Sequence, residues 1–186
     1  MASIAFFYFD FKDESKKNAR AALSSLLVQL AAQSDACSKI ISALYSKHDD
    51  GSKEPSDDAL RKALESMLAI RDQAPIYIVI DALDECPDST DTPSPREKVL
   101  SLVEWLVELR CSNLWVSVTS RTEADIQAIL QPLASHKVSL HTETGQGEDI
   151  TNYIKWFVNS NQKTRKWREQ DKELVIEKLS KRADGM

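Results

Sequence analysis

No stretch limits the possible folds as tightly as Ile76-Tyr77-Ile78-Val79-Ile80-Asp81-Ala82-Leu83-Asp84-Glu85. Five apolar residues run straight into an aspartate, and two more acids follow within four positions. An uninterrupted run rich in β-branched side chains predicts a strand buried on both faces, as in a parallel sheet layered with helices. A carboxylate at the end of such a strand stands at the C-terminal edge of the sheet, where open α/β folds bind ligands. Asp81 is thereby the first candidate for a site, as a hard oxygen ligand to Mg²⁺ or to its water. Asp84 and Glu85 follow closely enough to orient or deprotonate an attacking water. Three carboxylates this close repel one another, which predicts a cluster that is solvated or holds a cation. The same residues also fit a plainer reading, an acidic loop after a core strand.

The remaining chain alternates strands with helices. Ile4 to Phe11 is dense in aromatic and β-branched residues and predicts an opening strand. Ser15 is a candidate cap for a helix from Asn18 to Gln33, where Ala19, Ala22, Leu23, Leu26, Leu27 and Leu30 recur at helical spacing. A short helix from Ala36 to Tyr45, a charged loop from His48 to Ser56 and a helix with the stripe Leu60, Leu64, Met67 and Leu68 lead to the central strand. The prolines of Cys86 to Pro95 predict an exposed loop. Arg96 to Leu109 reads as a helix, Leu114 to Arg121 as a second buried strand, and Glu123 to Leu130 as a helix. A weak strand is expected near Lys137 to Leu140. Gly145 and Gly147 precede two final helices, from Asp149 to Asn159 and from Glu169 to Arg182. The order β-α-α-α-β-α-β-α-β-α-α argues for an α/β fold with a parallel sheet.

Whole-chain properties narrow the function classes. A net charge of -5 over 186 residues gives no electrostatic reason to expect nucleic acid or an anionic membrane as partner. No apolar run approaches the roughly 18 residues of a membrane span. The apolar start from Met1 to Phe9 carries no basic region and ends at Asp10, which argues against a signal peptide. Cys37, Cys86 and Cys111 have neither a zinc spacing nor a disulfide framework, so a reducing, cytoplasmic setting is expected. His48, His136 and His141 lack metal-like spacing. Trp156, Phe157 and Trp167 are expected to pack the C-terminal helices rather than stack on bases.

Two segments carry a family resemblance. Ile76 to Glu85 resembles the Walker B motif of the NACHT class of signalling NTPases, a hydrophobic strand followed by Asp, a small residue, any residue, Asp and Glu. Val118-Thr119-Ser120-Arg121 resembles the strand-end arginine motif of the same class, called sensor one, whose guanidinium can fork onto phosphate oxygens. Without nucleotide, Arg121 fits equally well as an ion-pair partner of Asp81, Asp84 or Glu85. From Phe6-Phe7-Tyr8-Phe9-Asp10 to Lys181-Arg182-Ala183-Asp184-Gly185-Met186 the chain is similar to the middle of a NACHT domain of a fungal NLR-like protein, near the nephrocystin-3-like group.

That resemblance implies a three-layer P-loop NTPase-like sheet with helices on both faces, lacking its first strand. It implies a partial α/β domain over residues 1–145 and a truncated helical segment over 146–186. In the complete domain Asp81 would bind Mg²⁺ with ATP or GTP, and Asp84, Glu85 and Arg121 would serve hydrolysis. The Gly-rich loop ending in Gly-Lys-Ser/Thr is missing: the four glycines, at 51, 145, 147 and 185, form no such motif. In the family that loop precedes the opening strand, so here it would lie upstream of Met1. The chain alone is therefore expected to bind nucleotide poorly or not at all, and the unpaired strand edges to favour protein partners or self-association. The alternative is a catalytically inert α/β scaffold acting through protein contacts.

Overall fold

The computed structural model describes residues 2–70, 73–89, 92–139 and 146–183. Its chain divides into two compact units, Met1–Ala134 and Ser135–Met186. The first unit is a mixed α/β structure. Three strands, β1 (Ser3–Tyr8), β2 (Ile76–Asp81) and β3 (Leu114–Val118), form a parallel sheet in the order β1-β2-β3. Ala5 is level with Ile78, and Ile78 with Val116, so Ile80 lies beside Phe7 and Val118 at the C-terminal end.

Between β1 and β2 run α1 (Ala19–Gln33), α2 (Asp35–Lys47) and α3 (Asp57–Leu68). Between β2 and β3 runs α4 (Pro95–Glu108), and α5 (Ala124–Leu133) follows β3. Each of the first four helices has a side-chain N-cap, which satisfies an amide without an intrahelical partner. Asn18 caps α1 through the Ala21 amide at 2.9 Å, while Ser15 sits in a 3-10 turn capped by Asp13. Asn18, not Ser15, is therefore the true cap. Ser34 and Ser56 cap α2 and α3, and Ser94 with Glu97 makes a reciprocal capping box on α4.

The core lies on one face of the sheet. Ala5 and Phe7 of β1 and Ile76, Ile78 and Ile80 of β2 pack with Leu23, Leu26, Leu27 and Leu30 of α1. Leu64 and Met67 of α3 and Leu102 and Leu106 of α4 complete the cluster. The opposite face carries Ile4, Phe6, Tyr8, Tyr77 and Trp115, each between 40% and 58% exposed. The expectation of strands buried on both faces is thus corrected: β2 alternates buried and exposed, and β3 is only half-buried. Handedness supplies the reason. Crossovers between parallel strands are right-handed, and β1, β2 and β3 step across the sheet in one direction, so their helices fall on one side.

Other expectations shift locally. The opening strand stops at Tyr8, where Asp10 accepts the Lys12 amide in a side-chain turn at 2.8 Å. The segment after β2 is less open than its prolines imply, because Cys86 and Ser94 are both buried. Lys137 to Ser139 is not a strand, and Leu140, His141 and Gly145 lie outside the described residues.

In the second unit α6 (Gln146–Ser160) packs on α7 (Glu169–Ala183). Thr164 closes the connection by donating to the Val158 carbonyl at 2.7 Å. The aromatic residues do not pack this pair as expected: Trp156 is 62% exposed, and Phe157 and Trp167 are both 43% exposed. Tyr153 instead stacks against Phe157 along the outer side of one helix, with ring centroids 6.3 Å apart. Among the described residues no helix is long and apolar enough to cross a membrane.

Candidate functional site

Asp81 ends β2 and Arg121 follows the end of the neighbouring β3, so both belong to the C-terminal edge of the sheet although they are far apart in sequence. Asp81 is the last residue of β2, and its side chain is open to solvent. The Thr119 hydroxyl donates to its carboxylate across the strand pair. The same hydroxyl accepts the Ala82 amide at 3.0 Å, and the Leu83 amide donates to the Thr119 carbonyl at 3.0 Å. Thr119 therefore ties the end of β3 to the turn after β2.

That turn is unusual. Ala82 has φ +54° and ψ +46°, the left-handed region in which a Cβ is disfavoured. The reversal drops Leu83 into the core, where it is fully buried. It also turns Asp84 toward the end of β3. Asp84 accepts the Arg121 amide at 2.9 Å, and its other oxygen lies 3.5 Å from Arg121 Nε. The Asp84 side chain is only 10% exposed whereas that of Arg121 is 83% exposed. The backbone bond is thus the firm contact, because an exposed ion pair at this separation adds little.

Glu85 points elsewhere and accepts the Phe11 amide at 3.4 Å. The three acids that are adjacent in sequence therefore take three separate partners. Among the described residues no group of three or more His, Cys, Asp or Glu side chains is placed to hold a metal ion. Mg²⁺ accompanying a nucleotide needs only one or two protein carboxylates, since phosphates and water fill the other positions. The exposed Asp81 fits that partial role. It does not amount to a stand-alone cation site.

A cleft of about 320 Å³ opens beside this turn, bordered by Phe11, Asp84, Glu85, Arg96 and Arg121. Arg96 was not among the sequence candidates, yet it organises the cleft floor. It donates to the Cys86 carbonyl at 3.0 Å, to the Asp84 carbonyl at 2.8 Å and to Asp125 at 3.2 Å, with only 11% of its side chain exposed. Its signal lies in its position within the first turn of α4, where a cation opposes the helix dipole unless acceptors surround it. Burial would raise the Asp125 carboxyl, but the Arg96 hydrogen bond, the backbone amides of Ile126 and Asp125 and the Arg96 charge together hold it below its ordinary value. Burial pushes the Cys86 thiol up to about 12, against the opposing charge of Arg96. Its Sγ donates to the Lys17 carbonyl at 3.2 Å, so Cys86 is a packing residue rather than a nucleophile.

A larger depression of about 400 Å³ runs along α6 past Glu148, Thr151, Asn152 and Lys155. All four belong to one helix face and none of them is buried, so the chemistry concentrates at the strand ends.

The family model described as Nephrocystin 3, N-terminal matches residues 1–121, a span that runs from before β1 through Asp81, Asp84, Glu85 and Arg121. No curated protein and no solved structure matches the chain. With well over half of its length matched, the chain belongs to the nephrocystin 3 N-terminal family.

Proposed function

We propose that this chain is part of a nucleotide-dependent signal-transduction NTPase of the NACHT type, of the kind found in fungal NLR-like proteins. The observation that carries this reading is the placing of Asp81 at the C-terminal end of β2 and of Arg121 just past the end of the adjacent parallel strand β3, with Thr119 bonded to Asp81 and Arg121 to Asp84. An acid and an arginine so placed can act on the Mg²⁺ and the phosphates of one nucleotide, as Walker B and sensor elements. Asp81 is the cation-side ligand, and Arg121 the phosphate-side cation. Asp84 and Glu85 are candidates for handling the attacking water, once Asp84 is released from the Arg121 amide.

The sheet supports a larger P-loop NTPase-like assembly. A strand added beyond β3 and leading into β1 by a right-handed crossover would step across the sheet in the opposite direction. Its helix would then cover the face that now exposes Ile4, Phe6, Tyr77 and Trp115. It would also create a reversal of strand order at β3, the place where open α/β sheets bind ligands. An upstream strand, Gly-rich loop and helix would meet this requirement and supply the phosphate cradle absent from the sequence.

The second reading is an inert scaffold that works through protein contacts, either with other proteins or with its own kind. It is favoured by the engagement of Asp84 with Arg121 and of Glu85 with the Phe11 amide, which leaves Asp81 the most exposed of the three acids. Calorimetric titration with Mg²⁺–ATP and Mg²⁺–GTP, with Asp81→Asn as control, separates the two when run on this chain and on a version extended upstream by such a unit. The NTPase reading expects no binding by the chain alone and binding by the extended protein that Asp81→Asn weakens at least tenfold. Absence of binding in a folded extended protein favours the scaffold.

A further inference from the structure

The two edges of the sheet are treated differently. The outward-facing amides and carbonyls of β1 belong to Ile4, Phe6 and Tyr8, and those of Ile4 and Phe6 are occupied by side chains of α1. Gln33 Oε1 accepts the Ile4 amide at 3.0 Å while Gln33 Nε2 donates to the Ile4 carbonyl at 2.7 Å. Gln29 repeats the pattern on Phe6, accepting at 3.0 Å and donating at 2.7 Å. Each primary amide thus forms the paired donor and acceptor contact that a neighbouring strand would form.

The spacing makes this possible. Four helical residues advance about 6 Å and two strand residues about 6.6 Å, so side chains at i and i+4 of a helix lying along a strand meet successive outward-facing residues. The second proton of each amide is also used. Gln29 Nε2 donates to Ser25 Oγ at 2.9 Å, and Gln33 Nε2 to the Gln29 carbonyl at 2.8 Å. These bonds set the orientation of both amides, since a reversed amide would face the strand N–H with its own donors. Among the described residues, none covers the outward-facing Val116 and Val118 of β3 in this way.

We propose that Gln29 and Gln33 form an edge guard that bars a second copy of this chain from pairing at β1. Without it, β1 would present a row of free backbone groups beside the exposed Ile4, Phe6 and Tyr8. An exposed apolar edge of that kind is a template for two-fold, edge-to-edge association. With it, any strand joining the sheet is directed to β3.

The test is a Gln29→Met/Gln33→Met double variant, which keeps side-chain length and helix propensity but removes both amides. Amide hydrogen exchange and sedimentation equilibrium are measured over a range of concentrations. In the wild type, the Ile4 and Phe6 amides should exchange about as slowly as those of Ala5 and Phe7. In the dilute variant they should exchange at least tenfold faster, and at high concentration they should regain protection as the mass rises toward that of a dimer. A folded variant with the wild-type mass at every concentration overturns the proposal, and so does a heavier species whose Ile4 and Phe6 amides stay unprotected. Should the double variant fail to fold, the single Gln33→Met variant is read in the same way at the Ile4 amide, with Phe6 still held by Gln29. Fast exchange of Ile4 and Phe6 in the wild type would by itself refute the guard.

Discussion

Thr119 holds Asp81 from the neighbouring strand: its hydroxyl donates to the Asp81 carboxylate and accepts the Ala82 amide at 3.0 Å. One side chain thereby sets the rotamer of the leading candidate ligand and closes the left-handed turn that follows. Removing it should loosen both. Thr119→Val, which keeps the shape but loses the hydroxyl, should lower stability by about 1–2 kcal/mol in urea unfolding, and Thr119→Ser should recover most of the loss. Equal stability of the valine variant and the wild type would mean that water replaces the hydroxyl without cost.

Ala82 offers a prediction of opposite sign. A non-glycine residue at φ +54° carries a conformational penalty of about 1 kcal/mol. Ala82→Gly removes it at the expense of a more flexible unfolded chain, so the expected net effect is a gain of up to about 0.5 kcal/mol. Ala82→Val should instead destabilise by about 1–2 kcal/mol, because a β-branched residue tolerates this region least. The order Gly, Ala, Val in denaturation midpoint is the readout, and a reversed order would contradict the turn.

Arg96→Met should cost about 2–3 kcal/mol, since it leaves the carbonyls of Asp84 and Cys86 without their donor in a buried setting. A pH effect accompanies it. The folded Asp125 carboxyl titrates below its ordinary value of 3.8, so its contribution is fully present above that value. As pH falls through the lower folded value, the contribution is lost. Unfolding curves between about pH 5 and 2 should therefore show a decline in the wild type that is shallower in Arg96→Met.

Cysteine labelling reports on the same region. With the Cys86 thiol pushed up to about 12 and its side chain fully buried, only about 10⁻⁴ of it is thiolate at pH 8. Cys37 is also buried, whereas Cys111 is half-exposed. Iodoacetamide at pH 8 should therefore modify Cys111 first, with Cys37 and Cys86 following only on unfolding. Mass spectrometry of tryptic peptides decides the order, and early modification of Cys86 would contradict its packing against Lys17.

Much of the fold was legible in local pattern. The stripe of leucines in α1, the Leu60, Leu64 and Met67 spacing of α3 and the β-branched run of β2 each declare their element, because periodicity of 3.6 or 2 is a local property. The bare face of the sheet was not legible. Ile4, Phe6, Tyr77 and Trp115 are as apolar as the residues they alternate with, so composition gave no sign that these side chains stay exposed. Strand order decided that, through the handedness of the crossovers.

The candidate site divides in the same way. That Asp81 ends a strand and that Arg121 follows another was readable along the chain, since both statements depend on sequence neighbours. Folding in three dimensions was needed for Thr119 to hold Asp81, for Asp84 to turn to the Arg121 amide and for Arg96 to pin the loop between them. It likewise decided that Gln29 and Gln33 would lie along β1. Those contacts join residues 12 to 38 positions apart, some 23 and 29 apart in the amide ladder. Such bonds form only once strand register and helix packing have brought their partners within hydrogen-bonding distance, and no local pattern encodes that register.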